Sequence, residues 1–437
     1  TERLNLDLNS GDYADVIGGW TLSDNAILTY GVNQGVFIPL EDYFEKYCPN
    51  ISAILDLPGV REKMTAPDGH IYTIPYVCAD STVGYSPYIN TKWLENVGMS
   101  MPTTTDEFEA VLKAFKEQDA NGNGDASDEI PFSTDPNNKH IEAMAGYFGL
   151  PMNKLGIAIQ DEKVVYGGVS NTYREFLSWF HKLYADGLVD VELYTQDSST
   201  WEGKGNQDLY GVSIAYGSNE FTGIPAAEER GDFDSMPVLN TDKGGIWLRD
   251  TEGFSVYRTQ AVITNKAEHP EIICRWFDNA FALENGIGCN RGPVGVIVNK
   301  EDDGYHAIDT TTLSEEDQEK YSWGNLWPQS LPKYLPADFE FVEEHPMYDE
   351  KKATEEAYEA NLTKEIIPSY WIDLDKIDTF SDTNTAIKDF FEQQQAQFVC
   401  GELDIDNDAD WQAYVDGMYS LGLEDWVATQ GIEEIAK

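Results

Sequence analysis

Basic residues are scarce in this sequence. The 29 Lys and Arg face 78 Asp and Glu, which gives a formal net charge of −49 at pH 7. A surface of this sign repels the phosphates of nucleic acids and the headgroups of anionic lipids. We therefore expect no nucleic acid partner, and we interpret the charge mainly as an aid to solubility in an extracellular or saline setting. A cationic ligand, such as a peptide or a polyamine, is the alternative that the charge leaves open.

Long apolar runs and closely spaced cysteines are also missing. No window approaches the roughly 18 consecutive apolar residues of a membrane-spanning helix, and the first residues lack the basic region and apolar core of a signal peptide. The five cysteines, at positions 48, 78, 274, 289 and 400, show no CxxC spacing. This spacing argues against a zinc ribbon and against a complete disulfide framework. Free buried thiols fit the pattern best, and a single bridge remains open.

The short motifs of several enzyme classes are absent. The sequence contains no HExxH, no GxSxG and no Walker A motif. The six histidines, at positions 70, 140, 181, 269, 306 and 345, show no metal or triad spacing. A glycoside hydrolase needs only two carboxylates, so 78 acidic residues leave that class open.

The residues that are present predict a globular α/β protein. The chain has 437 residues, 41% of them hydrophobic and 12% aromatic, which is too long for one core and predicts two or three domains or lobes. Predicted strands alternate with amphipathic helices, and this alternation is typical of α/β folds. The strands are expected at residues 13–17, 70–76, 83–89, 210–216 and 254–264, and the helices at 39–47, 91–97, 104–118, 172–186 and 270–286.

Helix signals are strong at three places. Thr104 and Glu107 have the spacing of a capping box. Trp276 and Trp411 lie on apolar helical faces, and we expect both in the core. From about residue 310 the chain becomes mostly helical.

An acidic, glycine-rich stretch at residues 119–131 is the most distinctive part of the sequence. Oxygen-bearing side chains occupy alternate positions from Asp119 to Asp125, with glycines between them, and Asp128 and Glu129 close the run. Such a loop can wrap around a hard cation, which predicts calcium. Its first half matches the EF-hand pattern, but the acidic pair arrives early and the bidentate Glu of that pattern is missing. A surface turn after a helix, without metal, is the alternative.

Several stretches together resemble the family 1 extracellular solute-binding proteins of ABC importers, in the long, oligosaccharide-binding branch that includes the alginate-binding proteins. The resemblance is carried by residues 10–19, 65–72, 88–94, 101–105, 119–131, 263–264, 269–271 and 398–414. It covers nearly the whole chain. Family members begin with a lipidated cysteine, a first strand and a helix, so we expect the first lobe to be N-terminally incomplete in this chain.

The resemblance implies a two-lobed periplasmic-binding-protein fold with hinge strands and a helical C-terminal region. It implies crossings between the lobes near residues 77–83, 252–258 and 326–334. The first lobe would comprise residues 1–78 and 257–328, and the second lobe residues 79–256 and 329–437. It also implies a structural calcium on the second lobe, away from the cleft. The loop has one residue more than the family pattern, and the implied ligands are Asp119, Asn121, Asn123, Asp125, Asp128 and Glu129.

Aromatic residues beside glycine, proline or predicted loops are the candidate ligand contacts, since an adjacent glycine leaves a ring face uncovered. Sugars stack on aromatic rings and hydrogen-bond to polar side chains. For each ring the alternative is an ordinary place in the core. The candidates are Trp20, Tyr76, Tyr85, Trp201, Tyr216, Trp247, Trp323 and Trp327.

The function that follows is the substrate-binding component of an ABC transporter, which captures an oligosaccharide and delivers it to permease subunits in the membrane. We expect no catalytic residues, a monomer, and an extracellular, cell-surface lipoprotein whose anchor segment is absent from this sequence. A secreted, calcium-stabilised glycoside hydrolase or lyase is the alternative.

Overall fold

The computed structural model describes residues 2–19, 21–137, 140–223, 231–309, 312–321, 331–342 and 346–436. The chain forms two compact units, each built from separate segments. Unit 1 comprises Thr1–Asp80, Glu252–His345 and Ser369–Ser381, and unit 2 comprises Ser81–Thr251, Pro346–Pro368 and Asp382–Lys437. The segment boundaries in the structure lie at 80/81, 251/252 and 345/346. The resemblance places the corresponding boundaries at 78/79, 256/257 and 328/329. The return of residues 369–381 to unit 1 has no counterpart in that division.

The strands are numbered along the chain. They are β1 Val16–Gly18, β2 Thr73–Ala79, β3 Ser86–Asn90, β4 Ile130–Thr134, β5 Ile157–Gln160, β6 Lys163–Tyr166, β7 Tyr210–Ala215, β8 Phe233–Ser235, β9 Trp247–Arg249, β10 Phe254–Ile263, β11 Val298–Lys300, β12 Tyr305–Ala307, β13 Lys333–Tyr334, β14 Leu362–Ile366 and β15 Glu434–Ile435.

The α-helices are α1 Glu2–Ser10, α2 Asp24–Ala26, α3 Glu41–Tyr47, α4 Pro49–Leu55, α5 Val60–Met64, α6 Thr91–Val97, α7 Thr105–Glu117, α8 Asn171–Ala185, α9 Ser198–Asn206, α10 Asn219–Thr222, α11 Pro270–Asp278, α12 Leu283–Arg291, α13 Glu315–Lys320, α14 Pro346–Tyr358, α15 Ile377–Cys400, α16 Asp408–Ser420 and α17 Leu423–Thr429. A π-helical segment, Ile27–Asn33, continues α2. The 3₁₀ segments are Ile141–Phe148, Asn279–Phe281, Glu359–Asn361 and Leu374–Lys376. In the described part of the chain, no helix combines the length and the apolar character that crossing a bilayer requires.

The described strands of unit 1 form a four-stranded sheet in the order β1-β10-β2-β13 and a separate β11-β12 hairpin. β10 runs antiparallel to β1 and β2, and β13 runs parallel to β2. Consecutive residues of β10 face opposite sides: Ile263 belongs to the apolar cluster with α3, α4 and α11, and Val262 to the cluster with Leu28 and Tyr72. Helical segments therefore cover both faces, as the α/β prediction requires.

The pairing of β10 with β2 is interrupted by a β-bulge between Tyr257 and Ala261, and Arg258 lies in this interrupted stretch. Its guanidinium donates to both carboxylate oxygens of Asp24 at 2.7 and 2.6 Å and to the carbonyl of Tyr370 at 2.9 Å. The same group lies 3.9 Å from the centroid of the Trp371 ring. Residues 369–381 are thereby attached to the sheet of their own unit.

The helical prediction around Pro270 is correct at its start and wrong at its end. α11 ends at Asp278, and a 3₁₀ turn and α12 follow before Arg291. Phe277 and Ala280 are buried, but Trp276 is 55% exposed, so its predicted core position is wrong. The buried face of α11 is formed by Cys274, Phe277 and Asp278, so Trp276 lies beside that face and packs against Phe277 with its ring partly in solvent.

The five cysteines are free thiols. Cys48, Cys78 and Cys274 are buried in unit 1, Cys289 is half-buried, and Cys400 is exposed at the end of α15. No disulfide forms among them in this structure, which agrees with the interpretation that the spacing favoured.

The described strands of unit 2 form a four-stranded sheet in the order β4-β7-β3-β8, a three-stranded sheet β15-β6-β5 and the pair β14-β9. β7 and β3 are buried along their whole length. Phe132 of β4 packs edge-on against Phe108 of α7 and Phe180 of α8, with ring centroids 6.4 and 5.7 Å apart. Trp411 is buried on α16, as predicted.

The capping signal at the start of α7 is confirmed. The Thr104 hydroxyl accepts the Glu107 N–H at 3.2 Å. The Glu107 carboxylate accepts the N–H and hydroxyl of Thr103, both at 2.8 Å, and not the N–H of Thr104. The box is therefore one residue wider than the sequence pattern indicates.

Candidate functional site

At one end of its strands, which we call the edge, the main sheet of unit 2 brings two of the predicted aromatic rings together. Tyr85 directly precedes β3 and Tyr216 directly follows β7, and the antiparallel register pairs Ser86 with Ala215. Asp135 directly follows β4, which runs parallel to β7 with Thr134 opposite Ile214. The carboxyl ends of β4 and β7 therefore meet at this edge, which is where open α/β sheets place their ligands.

Tyr216 is 37% exposed, and a half-buried lysine from α14 packs against its ring. Lys351 Nζ lies 4.0 Å from the centroid of the Tyr216 ring. It donates to the carbonyls of Gly84 at 2.5 Å and Tyr216 at 2.7 Å. Desolvation by burial lowers the pKa of Lys351 to about 8, and nearby carboxylates oppose the shift. We call Tyr85, His140, Tyr216 and Lys351 the Tyr216 platform.

His140 completes the platform beneath Tyr85. The two rings stack with centroids 4.0 Å apart and planes 12° apart, and Tyr85 meets Tyr216 edge-on at 6.2 Å. His140 has φ 48°, in the left-handed region, at the start of the 3₁₀ segment. Burial lowers its pKa to about 4. Its Nε2 is buried and has no hydrogen-bond partner among the described residues.

Two carboxylates flank the platform. The Tyr216 N–H donates to Glu220 Oε2 at 3.0 Å. Glu220 reaches solvent, yet desolvation raises its pKa, while the Tyr216 N–H and the charge of Lys351 oppose the shift. The Asp135 Oδ1 accepts the Ser198 hydroxyl at 2.7 Å and the Asn137 N–H at 3.0 Å. The site thus offers an exposed ring beside fixed hydrogen-bond acceptors.

Tyr76 lies in unit 1, in a separate aromatic cluster. Its hydroxyl donates to Asn290 Oδ1 at 2.8 Å, and its ring stacks on Tyr257 at 5.6 Å. Lys333 Nζ lies 4.4 Å from the ring centroid, and burial lowers the pKa of this lysine to about 8. Tyr257 in turn donates to Asp80 Oδ2 at 2.6 Å.

Two predicted contacts are buried in the core of unit 2. Trp201 is 3% exposed, packs on Phe221 and donates its Nε1–H to the Ser213 hydroxyl at 3.2 Å. Trp247 is 1% exposed and packs between Tyr147 and Tyr358. Because neighbouring side chains occupy the faces that a sugar would need, we correct the sequence prediction and leave both out of the proposed ligand set.

The other three predicted rings, Trp20, Trp323 and Trp327, lie outside the described residues. The sequence prediction missed four residues of the candidate site: His140, Lys351, Glu220 and Asp135. Lys351 and Glu220 carry no local signal, since their role depends on the packing of α14 and α10 near the end of β7. His140 follows β4 closely, so pairing the predicted strands could have found it.

The acidic loop follows α7 and is folded by its own polar groups. Asp119 Oδ2 accepts the Gly124 N–H at 3.0 Å, and the side-chain oxygens of Asn121 and Asn123 accept the N–H groups two residues on at 3.0 and 2.8 Å. Both asparagine amides reach Asp128, at 3.1 and 2.7 Å. Glu129 Oε1 accepts the Ala120 N–H at 2.8 Å.

Two oxygens of this loop fit a hard cation. Asp119 Oδ1 and Glu129 Oε2 are buried and have no hydrogen-bond partner among the described residues. Burial raises the pKa of Glu129, and a cation would relieve that desolvation. The Asp125 Oδ1 accepts the N–H and the hydroxyl of Ser127 at 3.1 and 2.6 Å.

A second group of potential metal ligands, Glu301, Asp303 and His306, lies on the β11-β12 hairpin of unit 1. The spacing of the histidines along the chain does not indicate it. The two carboxylates are exposed, and His306 Nε2 is 2.9 Å from Asp303 Oδ1. Exposed acidic groups of this kind are common without a bound ion.

Comparison with known proteins gives two kinds of match. No family model matches the chain. The fructooligosaccharide ABC transporter substrate-binding protein FusA of Streptococcus pneumoniae is 34% identical over 305 residues, which is 67% of this chain and 55% of that protein. Lipoprotein LipO of Bacillus subtilis is 28% identical over 249 residues, 55% of this chain and 46% of LipO. The chain thus spans about half the length of the curated relatives that it matches.

Two solved structures of Streptococcus pneumoniae FusA extend the match over the whole fold. The complex with kestose superimposes with a TM-score of 0.82 and 27% identity, over 98% of this chain and 89% of that one. An EF-hand mutant in complex with fructo-nystose gives the same TM-score at 26% identity and the same coverage.

These matches confirm the two-lobed periplasmic-binding-protein fold that the resemblance implied. The sequence motifs, the helix-covered sheets of both units and the relatives agree with one another. The chain belongs to the family 1 extracellular solute-binding proteins of ABC transporters, in the branch that contains the oligosaccharide-binding members.

Proposed function

We propose that this protein is the substrate-binding component of an ABC importer and that it captures an oligosaccharide at the Tyr216 platform. The observation that carries the proposal is an exposed tyrosine at the carboxyl edge of the sheet, braced by Lys351 at 4.0 Å and flanked by carboxylates. The fructooligosaccharide specificity in the name of FusA supports the ligand class.

The platform has the two properties that sugar recognition needs. The apolar face of a pyranose or furanose ring packs on the exposed Tyr216 ring, which removes apolar surface from water at little entropic cost. Glu220 and Asp135 then accept hydrogen bonds from sugar hydroxyls, and bonds to a charged acceptor are stronger than neutral ones. Their own contacts to Tyr216, Ser198 and Asn137 fix the direction of these acceptors before a ligand arrives.

The proposed ligand set therefore contains Tyr85 and Tyr216 in unit 2. Tyr76, in unit 1, remains a prediction from the sequence: it is 9% exposed, and Lys333 and Tyr257 lie against its ring. Trp20, Trp323 and Trp327 remain predictions from the sequence.

The test is calorimetric titration of the purified protein with a panel of oligosaccharides, followed by chromatography of the recovered sugar. Saturable binding with one sugar per protein, and recovery of that sugar intact, is the expected result. Turnover of any oligosaccharide by the pure protein would overturn the proposal and restore the hydrolase or lyase alternative. Binding of polyamines or basic peptides in preference to every sugar would also overturn it.

We propose further that the acidic loop holds a structural calcium through Asp119, Asn121, Asn123, Asp128 and Glu129. The buried, unpartnered oxygens of Asp119 and Glu129 support this assignment, and so does the EF-hand in the name of a FusA variant. Of the residues predicted from the sequence, we expect Asp125 to contribute its backbone carbonyl, since its carboxylate is bonded to Ser127. A bound calcium would neutralise the clustered carboxylates and tie the end of α7 to the start of β4.

Removal of calcium is expected to lower the melting temperature and to leave sugar binding intact at low temperature. At a calcium concentration 100 times the Kd, the ion stabilises the folded state by about 2.7 kcal/mol. Differential scanning calorimetry with EGTA, and of Asp119→Ala in calcium, should show the same loss, whereas Asp242→Ala, in an exposed turn, should not. No metal by elemental analysis together with unchanged melting would refute the site.

We propose an extracellular, cell-surface location and delivery of the sugar to permease subunits in the membrane. The family and the lipoprotein LipO among the relatives support this location. Native cells should carry the protein in the membrane fraction, accessible to added protease.

We propose that the protein acts as a monomer. Light scattering after gel filtration tests this directly, and a stable dimer at micromolar concentration would contradict it.

A further inference from the structure

Two buried cysteines of unit 1 lie on neighbouring elements of its core. Cys48 stands at the junction of α3 and α4, where it ends the first helix and precedes the second. Cys274 lies on the buried face of α11. Both side chains are fully buried in the same apolar cluster, and both are free thiols in this structure.

Contacts on either side of the two cysteines hold these elements together. The Arg275 guanidinium lies 4.9 Å from the centroid of the Tyr47 ring. The Asp278 carboxylate accepts the N–H of Ile51 at 2.8 Å and the side-chain amide of Asn50 at 2.9 Å. The chain is therefore fixed against α11 both before and after the first cysteine, by the residue that follows the second cysteine and by the last residue of α11.

The two thiols meet between these contacts. Cys48 and Cys274 form a thiol–thiol hydrogen bond, and this contact, together with burial, raises the pKa of Cys48. The sulfur atoms of a disulfide lie about 2.05 Å apart, and cysteines that are far apart cannot be bridged without backbone movement. Here the side chains already touch, so a bond between them requires only a short approach of two sulfur atoms.

We propose that Cys48 and Cys274 form a disulfide when the protein meets a small-molecule disulfide, as an oxidising extracellular space permits. The bond joins Thr1–Asp80 to Glu252–His345, the two segments of unit 1 that are separated in sequence by Ser81–Thr251 of unit 2. A cross-link between distant positions of a chain restricts its unfolded state, so oxidation stabilises unit 1. This proposal goes beyond the sugar-binding function and does not depend on it.

The bond forms by thiol–disulfide exchange, with oxidised glutathione as the oxidant in the test. The thiolate of one cysteine attacks a glutathione sulfur, which releases one glutathione thiolate and leaves a mixed disulfide. The thiolate of the other cysteine attacks the protein sulfur of that mixed disulfide and releases the second glutathione thiolate. The two thiol protons pass through solvent to the released thiolates, so two cysteines are oxidised and one glutathione disulfide is reduced. Because both cysteines are buried, the exchange takes place during folding or during local opening of unit 1.

The test follows the thiols of the full chain after refolding from urea in a mixture of oxidised and reduced glutathione, with calcium held constant. Cys400→Ser is the parent protein, because Cys400 is exposed and would itself collect glutathione. Replacing one of the five cysteines leaves four thiols, and a disulfide between two of these leaves two. Alkylation, proteolysis and mass spectrometry should find the Cys48 peptide joined to the Cys274 peptide.

The stability of the oxidised protein provides a second measurement. It should melt about 5 °C or more above the same protein reduced with a phosphine. Cys274→Ser in the Cys400→Ser parent should abolish this difference. Cys289→Ser, at a half-buried cysteine of the same unit, is the matched control and should retain it. The linked peptides of the parent test the pairing whether or not Cys274→Ser folds.

Three outcomes would overturn the proposal. Four reactive thiols after oxidation, with equal melting temperatures in both redox states, would show that the two cysteines serve only as core side chains. A linked pair that contains Cys78 or Cys289 would show that the pairing is wrong. A bond between Cys48 and Cys274 without a rise in melting temperature would refute its stabilising role.

Discussion

The brace between Lys351 and Tyr216 is the most informative contact at the scale of single residues. A lysine loses hydration when it is buried, which lowers its pKa to about 8, and two backbone carbonyls and one aromatic face compensate for part of that loss. The unfavourable desolvation of the lysine is tolerated where an aromatic ring must keep one orientation while part of its surface faces solvent. The contact with Lys351 therefore restricts the orientation of the Tyr216 ring, as the proposed sugar contact requires.

Replacing Tyr216 with alanine should weaken sugar binding by about tenfold or more, because stacking on an aromatic ring contributes on the order of 1 kcal/mol beyond the buried area. Tyr216→Phe keeps the ring and should retain most of the affinity. Calorimetric titration with the best sugar of the panel measures both. Equal affinity of the alanine variant and the wild type would remove Tyr216 from the site.

His140 gives unit 2 a dependence on pH. Its pKa in the folded protein is about 4, below the ordinary histidine pKa of 6.5, because burial disfavours the imidazolium. Between these values the unfolded chain binds more protons than the folded one, so the stability due to this group is complete above pH 6.5 and is lost as pH falls towards 4.

The variant His140→Asn should remove this part of the pH dependence, and asparagine tolerates the φ of 48° at this position. Melting temperatures of both proteins at about pH 7 and about pH 5, on either side of the ordinary histidine pKa, provide the measurement. We expect the wild type to lose more stability than the variant on acidification, by an amount on the order of 1 kcal/mol. Parallel losses in the two proteins would show that His140 does not titrate in this way.

Tyr85 and Tyr216 were predicted from the sequence as ligand contacts because each has a glycine neighbour, and Trp201 and Trp247 were predicted because they lie near expected loops. The difference arises in three dimensions. Tyr85 and Tyr216 stand just outside the ends of β3 and β7, whereas Trp247 lies within β9 and Trp201 within α9. A glycine leaves a ring face open only where no other element packs on it, and a single sequence does not specify that packing.

The bulge in β10 is the main feature at the scale of secondary structure elements. Arg258 lies in the bulged stretch and contacts both Asp24 and Tyr370. The residue is 5% exposed, and its guanidinium links the sheet to residues 369–381. Its bidentate bonds and its stacking on Trp371 depend on the planar shape of arginine.

The variant Arg258→Lys should destabilise unit 1 by on the order of 2 kcal/mol, because an ammonium cannot reproduce the fork and leaves Asp24 only partly paired. Arg61→Lys, at an exposed single contact to Asp56, is the matched control and should have an effect below about 0.5 kcal/mol. Urea midpoints followed by circular dichroism compare the two. Similar urea midpoints for the two variants would contradict the structural role of the Arg258 contacts at the bulge.

The limits of helices and strands that have strong local sequence signals were predicted well. The limits that depend on tertiary packing were not. The buried strands at 210–216 and 254–264 and the helix at 172–186 appear within one residue of their predicted limits. The break after Asp278 was missed, since no proline or glycine marks it and the chain turns there to bury Phe281 and Ile287. For the same reason the exposed side of Trp276 was assigned to the core.

The whole molecule carries a net charge of −49, which is large for its size. Self-repulsion among like charges favours expanded states, and salt screens it. The melting temperature should therefore rise by a few degrees between about 10 and about 200 mM sodium chloride at constant calcium. Choline chloride at equal ionic strength should give the same rise, and a fall in melting temperature with either salt would show that attractive ion pairs dominate.

The overall architecture was predicted from the sequence chiefly through the family resemblance. Alternating strands and helices indicate α/β and two lobes, but they do not show that residues 369–381 return to unit 1. That return depends on Arg258 and Trp371, which are more than a hundred positions apart in the chain, and neither carries a local signal.

The exposed thiol of Cys400 has a practical consequence. Cys48, Cys78 and Cys274 are buried, and Cys289 is half-buried with a raised thiol pKa, so Cys400 should be the first to react with a maleimide in the native protein. A fluorophore attached there would sit at the end of α15, remote in sequence from the strand ends that carry Tyr85 and Tyr216. The wild-type chain can thus be labelled selectively at one exposed position without engineering a new attachment point.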